Sequence, residues 1–67
     1  MEELYNLAGN LKRLRTKYHL TQQNVADEIG ISCQSYQAYE WGVSVPTLKH
    51  FIQLAKLFEV SLDELIQ

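Results

Sequence analysis

The sequence predicts an all-α fold, a compact bundle of five helices, and three features of the 67 residues indicate it. Apolar residues recur at steps of three and four, which places them on one face of successive helices. Ser or Thr stands at four positions where a helix is expected to begin. Gly and Pro fall between these segments, where the chain must turn. We expect residues 1–67 to form one domain, because a chain this short can build only one core.

The first predicted helix covers residues 4–18. Glu2 and Glu3 lie at its beginning and Lys17 at its end, an arrangement that the helix dipole favours. We expect His19 to end it. Its apolar stripe comprises Leu4, Leu7, Ala8, Leu11, Leu14 and Tyr18.

Four further helices are predicted to begin at hydroxyl residues that cap free backbone amides. An apolar residue precedes each hydroxyl and another follows it by four positions, which fixes the direction of the entering chain. Ser61 is followed by Glu64 at the third helical position, so a complete capping box is expected there. Gly30, Gly42 and Pro46 separate the segments. The predicted helices cover residues 21–29, 32–41, 47–58 and 61–66.

Composition excludes several classes of protein. Hydrophobic residues make up 46% of the chain, and no apolar run approaches the roughly 18 residues of a membrane span. The acidic N-terminus does not resemble an export signal, so we expect a cytoplasmic protein. The single cysteine excludes an internal disulfide. No cofactor or metal is expected. The sequence shows no combination of a nucleophile, a base and an orienting group, so we do not expect an enzyme.

Residues 22–41 have the pattern of two helices joined by a sharp turn. Ala26 is small enough for the helices to cross closely, and Gly30 can form the turn. The apolar face that they share comprises Val25, Ile29, Ile31, Tyr36 and Tyr39. The outward face of the second of these helices carries small or uncharged side chains, namely Cys33, Gln34, Gln37, Ala38 and Trp41.

An uncharged helical face of this kind suits the major groove of DNA. Glutamine can bond to the N6 and N7 edge of adenine through both amide groups, and Cys and Ala offer small apolar contacts to a thymine methyl. The residues expected to read bases are Cys33, Gln34, Gln37 and Ala38, with the two glutamines as the main readers. Phosphate binding is expected near the helix starts and from the basic cluster, at Thr21, Gln22, Ser32, Ser35, Lys12 and Arg13.

Short motifs that extend over residues 11–66 carry a resemblance to a known family. They are Leu11-Lys12-Arg13-Leu14-Arg15, Leu20-Thr21-Gln22, Val25-Ala26, Gly30-Ile31-Ser32, Tyr36-Gln37-Ala38-Tyr39-Glu40 with Gly42, Pro46, and Val60-Ser61-Leu62-Asp63-Glu64-Leu65. In these motifs the chain resembles the phage repressor and Cro proteins. The resemblance implies a lambda-repressor-like domain with a central helix-turn-helix. It also implies a transcriptional regulator that binds an operator as a homodimer, with the third helix in the major groove, and a partly buried ion pair between Arg15 and Glu40.

Charge and loop composition depart from the family pattern. The net charge is −2, and the loop after Gly42 carries valines where relatives often have Lys or Arg. Weak binding to the DNA backbone would follow. Alternatively, Trp41, Val43 and Val45 are covered by a second copy or another protein. Two other functions stay open, an antitoxin that regulates its own operon and a protein-interaction module without DNA affinity.

The remaining aromatic and titratable residues are assigned structural roles. The tyrosines recur at helical spacing, so we expect them in the core or at its edge, at positions Tyr5, Tyr18, Tyr36 and Tyr39. His50 is expected on the exposed side of the fourth helix. Cys33 has no cationic neighbour in the sequence, and we therefore expect no redox role for it.

Overall fold

The computed structural model describes residues 2–67, and within this part of the chain five helices are joined by turns and loops, without a strand. Each predicted helix is confirmed, with ends that differ by at most two residues from those expected. The largest difference is at the first helix, which begins at Glu2 rather than near residue 4. The helices are α1 (Glu2–Lys17), α2 (Gln22–Ile29), α3 (Cys33–Glu40), α4 (Leu48–Phe58) and α5 (Leu62–Ile66). None of these helices is long and apolar enough to cross a membrane.

Hydroxyl caps begin the last four helices, as the sequence predicts. In each case the side-chain oxygen accepts a hydrogen bond from the backbone N–H three residues later, at Thr21, Ser32, Thr47 and Ser61. The predicted capping box of Ser61 and Glu64 is present. A second box joins Thr21 and Asn24, and it was missed because this position of the motif usually holds Glu or Gln.

Left-handed backbone closes the helices. Gly30 ends α2 with a φ of 76°, and Gly42 follows α3 with a φ of 72°, as expected for residues without a side chain. His19 and Glu59 adopt the same conformation after α1 and α4, with φ values of 58° and 56°. α4 ends at Phe58, as the sequence predicts, but the left-handed conformation of Glu59 was not expected, since a residue with a Cβ seldom takes it.

The core lies where α1, α2 and α4 meet α3 and α5. α1 packs against α3 and α5, and α2 packs against α3 and α4. α3 is therefore held on one side by two helices, and the rest of its surface faces solvent. The side chains with no exposed area are Leu11, Val25, Ala26, Tyr36, Leu54, Phe58 and Leu65.

Two side chains lie where the sequence analysis did not place them. Tyr5 is 73% exposed, because it lies about 200° around the helix from the buried Leu7. His50 is half-buried rather than exposed, with its Nδ1 atom 3.2 Å from the hydroxyl of Tyr39. The expectation for Tyr18 is met at the core edge, where its ring stacks on that of Phe58.

A buried ion pair joins α1 to α3. Nε of Arg15 donates to Oε2 of Glu40 at 2.6 Å, and Nη2 donates to Oε1 at 3.2 Å. The third donor, Nη1, bonds to the carbonyl of Leu20 at 3.0 Å. The side chains are only 14% and 2% exposed, respectively. Because the two charges lose their hydration together, the pair adds little net stability, but it makes each partner necessary to the other.

Replacing Arg15 with alanine is expected to lower the free energy of unfolding by about 3 to 5 kcal/mol, because the Glu40 carboxylate would be left buried without a partner. Arg13→Ala is the matched control, since Arg13 lies two positions away on the exposed side of α1. The control should change stability by less than about 0.5 kcal/mol. Urea unfolding followed by circular dichroism measures both variants, and equally small losses would contradict this role of the pair.

Candidate nucleic-acid interface

The outer surface of α3 brings the predicted base-reading residues together. Gln34 is exposed, and Cys33, Gln37 and Ala38 are half-buried on the same short helix. The only charged residue of α3 is Glu40, whose side chain points inward to Arg15. The solvent-facing side of α3 therefore offers amide, thiol and methyl groups without a formal charge.

Hydroxyl groups surround the N-termini of α2 and α3. Oγ1 of Thr21 accepts from the amide of Asn24 at 3.0 Å, and Oγ of Ser32 accepts from the amide of Ser35 at 3.1 Å. The Ser32 hydroxyl also donates to Oγ of Ser35 at 2.9 Å. A hydroxyl that accepts a bond keeps its own proton as a donor. Thr21 and Ser35 can therefore still donate to a phosphate, whereas Ser32 has used its proton on Ser35.

A polar cleft of about 480 Å³ lies where α1, α2 and α3 meet. It brings the predicted phosphate ligands Lys12, Thr21 and Gln22 together, and Trp41 lines it as well. Arg13 lies outside this cleft, in a groove beside α5.

Of the three residues predicted to contact a partner protein, two line different clefts. Trp41 lies in the polar cleft next to Lys12, whereas Val45 borders an apolar groove of about 150 Å³ between α1 and the start of α4. Val43 is 74% exposed. Leu48 at the start of α4 is 70% exposed and Ile52, one turn later, is 38% exposed.

A chain of hydrogen bonds connects the buried ion pair to the surface of α3. Nε2 of Gln22 donates to Oε1 of Glu40 at 3.1 Å. The other end of the same amide, Oε1 of Gln22, accepts from Nε2 of Gln37 at 3.0 Å. Gln22 and Gln37 lie fifteen residues apart on different helices, so no local sequence pattern reveals their contact.

Glu40 stays ionised within this chain. Burial is the largest single influence and opposes ionisation of Glu40. The hydrogen bonds from Arg15 and Gln22, the neighbouring Tyr36 hydroxyl and the charge of Arg15 together outweigh burial and hold the pKa of Glu40 below its ordinary value. The hydrogen bond to Glu40 raises the pKa of Arg15. Burial also raises the pKa of Tyr36, whose hydroxyl lies beside this carboxylate without a partner in hydrogen-bonding geometry. The carboxylate can therefore only accept hydrogen bonds at neutral pH.

The exposure of Leu48 and Ile52 is a further feature that the sequence analysis missed. The buried side of α4 includes Leu54 and Phe58. A count of apolar residues does not distinguish these buried side chains from exposed apolar side chains on the same helix. The available signal was their spacing of four, which places both on one face of α4. That face is distinct from the buried one, and α4 follows the loop with the exposed valines in the sequence.

Comparison with known proteins gives a family that matches this geometry. Residues 11–65 match the family model described as helix-turn-helix. YqaE of Bacillus subtilis strain 168, named as an uncharacterized HTH-type transcriptional regulator, is 45% identical over 58 residues, which cover 87% of this chain and 50% of YqaE. RstR of Vibrio cholerae El Tor, named as the transcriptional repressor of the cryptic phage CTXphi, is 44% identical over 55 residues, which cover 82% of this chain and 49% of RstR. The chain thus spans about half the length of these relatives.

A solved structure extends the similarity to nearly the whole described fold. The restriction-modification controller protein C.AhdI from Aeromonas hydrophila is similar with a TM-score of 0.85 at 25% identity, over 97% of this chain and 98% of that chain. The resemblance predicted from the sequence motifs is confirmed. The chain belongs to the helix-turn-helix family of Cro and C1 type.

Proposed function

We propose that this protein is a sequence-specific transcriptional regulator, acting as a repressor, that binds double-stranded operator DNA with α3 in the major groove. The observation that carries the proposal is the uncharged outer surface of α3, fixed by α1 and α2 from behind. A helix fits the major groove, where base edges differ in their donors and acceptors. The name of RstR, a transcriptional repressor, supports repression rather than activation. Such a protein would act in the cytoplasm.

The proposed base contacts come from four side chains of α3. Gln34 and Gln37 would bond to base edges, since an amide can donate and accept at once. Cys33 at the start of α3 and Ala38 five residues later would contact thymine methyl groups. Both side chains are short, which allows α3 to approach the base edges closely.

Phosphate contacts are proposed at the polar cleft. The N-terminus of α2 offers free backbone amides and the positive end of the helix dipole beside Thr21 and Gln22. Lys12 adds a charge to the same cleft. Trp41 would border the DNA backbone there, and its indole N–H is a suitable donor. Ser35 would serve the adjacent phosphate at the start of α3, with Ser32 holding its hydroxyl.

Arg13 has a different proposed role, because it lies outside the cleft. Together with Lys12 and Lys17 it makes the exposed side of α1 basic. A basic helix face attracts the DNA polyanion at a distance and speeds encounter. Arg13 would therefore contribute to the rate of association more than to a defined phosphate contact.

We also propose that the regulator acts as a homodimer, since one α3 can read only a few base pairs. A two-fold dimer would place its two α3 helices about 34 Å apart, one turn of DNA. The segment that would join the copies contains the exposed Val43, Val45 and Leu48, which are 74%, 66% and 70% exposed. Burial of such side chains against a second copy would remove apolar surface from water.

The same exposed segment favours a second candidate function, a module that binds another protein and has no DNA affinity. The net charge of −2 is compatible with this function. A gel-shift with DNA from the promoter next to the gene separates the two functions. A retarded band that resists excess random DNA supports the regulator, and its absence at micromolar protein supports the interaction module.

Gln34→Ala and Gln37→Ala are each expected to weaken binding to the selected DNA site by about 1 to 3 kcal/mol and to relax preference at one base step. Gln23→Ala is the matched control, because Gln23 is exposed on α2 and its amide bonds only to Asp27. Fluorescence anisotropy with a site selected from a random pool measures all three. The base-reading role of α3 would be wrong if both α3 variants bound selected and random DNA as the parent does.

Leu48→Lys is expected to dissociate the proposed homodimer at micromolar concentration without unfolding the monomer, because the side chain is 70% exposed in a single copy. Tyr5→Lys removes an equally exposed apolar residue on α1 and should leave the dimer intact. Sedimentation equilibrium gives the mass of each variant. A parent protein that sediments as a monomer at this concentration would contradict the dimer proposal.

A further inference from the structure

The hydrogen-bond chain from Arg15 to Gln37 has a fixed direction. The Glu40 carboxylate can only accept, and it already accepts from Arg15 at 2.6 Å. The amide of Gln22 must therefore turn its NH2 group toward Glu40, which leaves its oxygen facing Gln37. Gln37 must in turn use its own NH2 group on that oxygen. If either amide were reversed, two oxygen acceptors would face each other without a proton between them. The buried charge therefore determines both orientations.

The fixed direction decides which atoms Gln37 offers to solvent. One of its two N–H donors is used on Gln22 at 3.0 Å. Its carbonyl oxygen and the second N–H remain available. Adenine presents an amino group at N6 and an acceptor at N7, and cytosine presents an amino group at N4, whereas guanine and thymine present carbonyl oxygens at the corresponding places. With one N–H left, the Gln37 amide can accept from N6 and donate to N7 of adenine, whereas guanine presents two acceptors, N7 and O6, to this single donor.

We propose that Gln22 is a positioning residue that sets the base preference of Gln37, so that Gln37 favours adenine and disfavours bases with a carbonyl oxygen at that place. This inference rests on the proposed function, because it requires α3 to face bases. Gln22 thereby acts through another side chain rather than by contact with a base. Its backbone amide stays free to serve a phosphate, so the two roles do not compete.

The inference predicts an effect confined to one base step. In Gln22→Ala the amide of Gln37 loses its fixed partner, so that it can turn by 180° and offer both N–H groups to the acceptors of guanine or thymine. Preference for amino over carbonyl bases at that step should fall from about tenfold or more to less than about threefold, since one bidentate contact accounts for discrimination of this order. Preference at the step read by Gln34 should stay unchanged.

The experiment compares binding of parent, Gln22→Ala, Gln37→Ala and the double variant to operators that carry each base at each position. The operator is first selected with the parent, and the Gln37→Ala data identify the step that this residue reads. Gln23→Ala controls for the loss of an amide from α2, since its partner is Asp27 rather than a residue of α3. Thermal unfolding checks that all variants are folded.

Relaxed preference at the Gln37 step in Gln22→Ala, with no further change when Gln22→Ala is added to Gln37→Ala, supports the inference. A loss of affinity that is uniform across all operators would overturn it and leave Gln22 as a phosphate ligand only. A parent that selects no sequence at all would refute the proposed function, and the inference with it. These two failures are distinguishable, because the parent selects a sequence in the first case and selects none in the second.

Discussion

The interaction on which this structure depends is the buried contact between Arg15 and Glu40. It links α1 to α3 through two hydrogen bonds, and the carboxylate side chain is only 2% exposed. A charge in that position requires a partner and satisfied hydrogen bonds, because the unpaired ion would be costly to bury. Gln22 on α2 donates a further hydrogen bond to this carboxylate. One carboxylate therefore fixes three helices relative to one another at the place where α3 becomes exposed.

The division of charge explains how a protein with a net charge of −2 can still suit DNA. Acidic Glu40 is turned inward, and the side of α1 near the cleft carries basic residues, including Lys12. Few cations are available for phosphates, so counterion release would contribute less to affinity than in a strongly basic protein. Base contacts would then supply a large share of the binding free energy, and affinity would depend only weakly on salt concentration.

Local chemistry made most of the fold predictable. Ser61 with Glu64 and the left-handed Gly30 are signals contained within a few residues, and they gave helix boundaries within two positions. The ends of α1 and α4 were predicted to within one residue, but the left-handed backbone of His19 and Glu59 was not, since residues with a Cβ seldom adopt it. The exposed Gln34 was apparent from helical periodicity. The contact between Gln22 and Gln37 was not, because it arises only when α2 and α3 cross.

The central claim is that the outer surface of α3 meets the bases of DNA. Titration of a 15N-labelled protein with a duplex selected from a random pool tests it most directly, through the backbone amide resonances. The largest shifts are expected on residues 33–38 and at the start of α2. Base reading by α3 would be wrong if its amides stayed unmoved while those of another surface shifted.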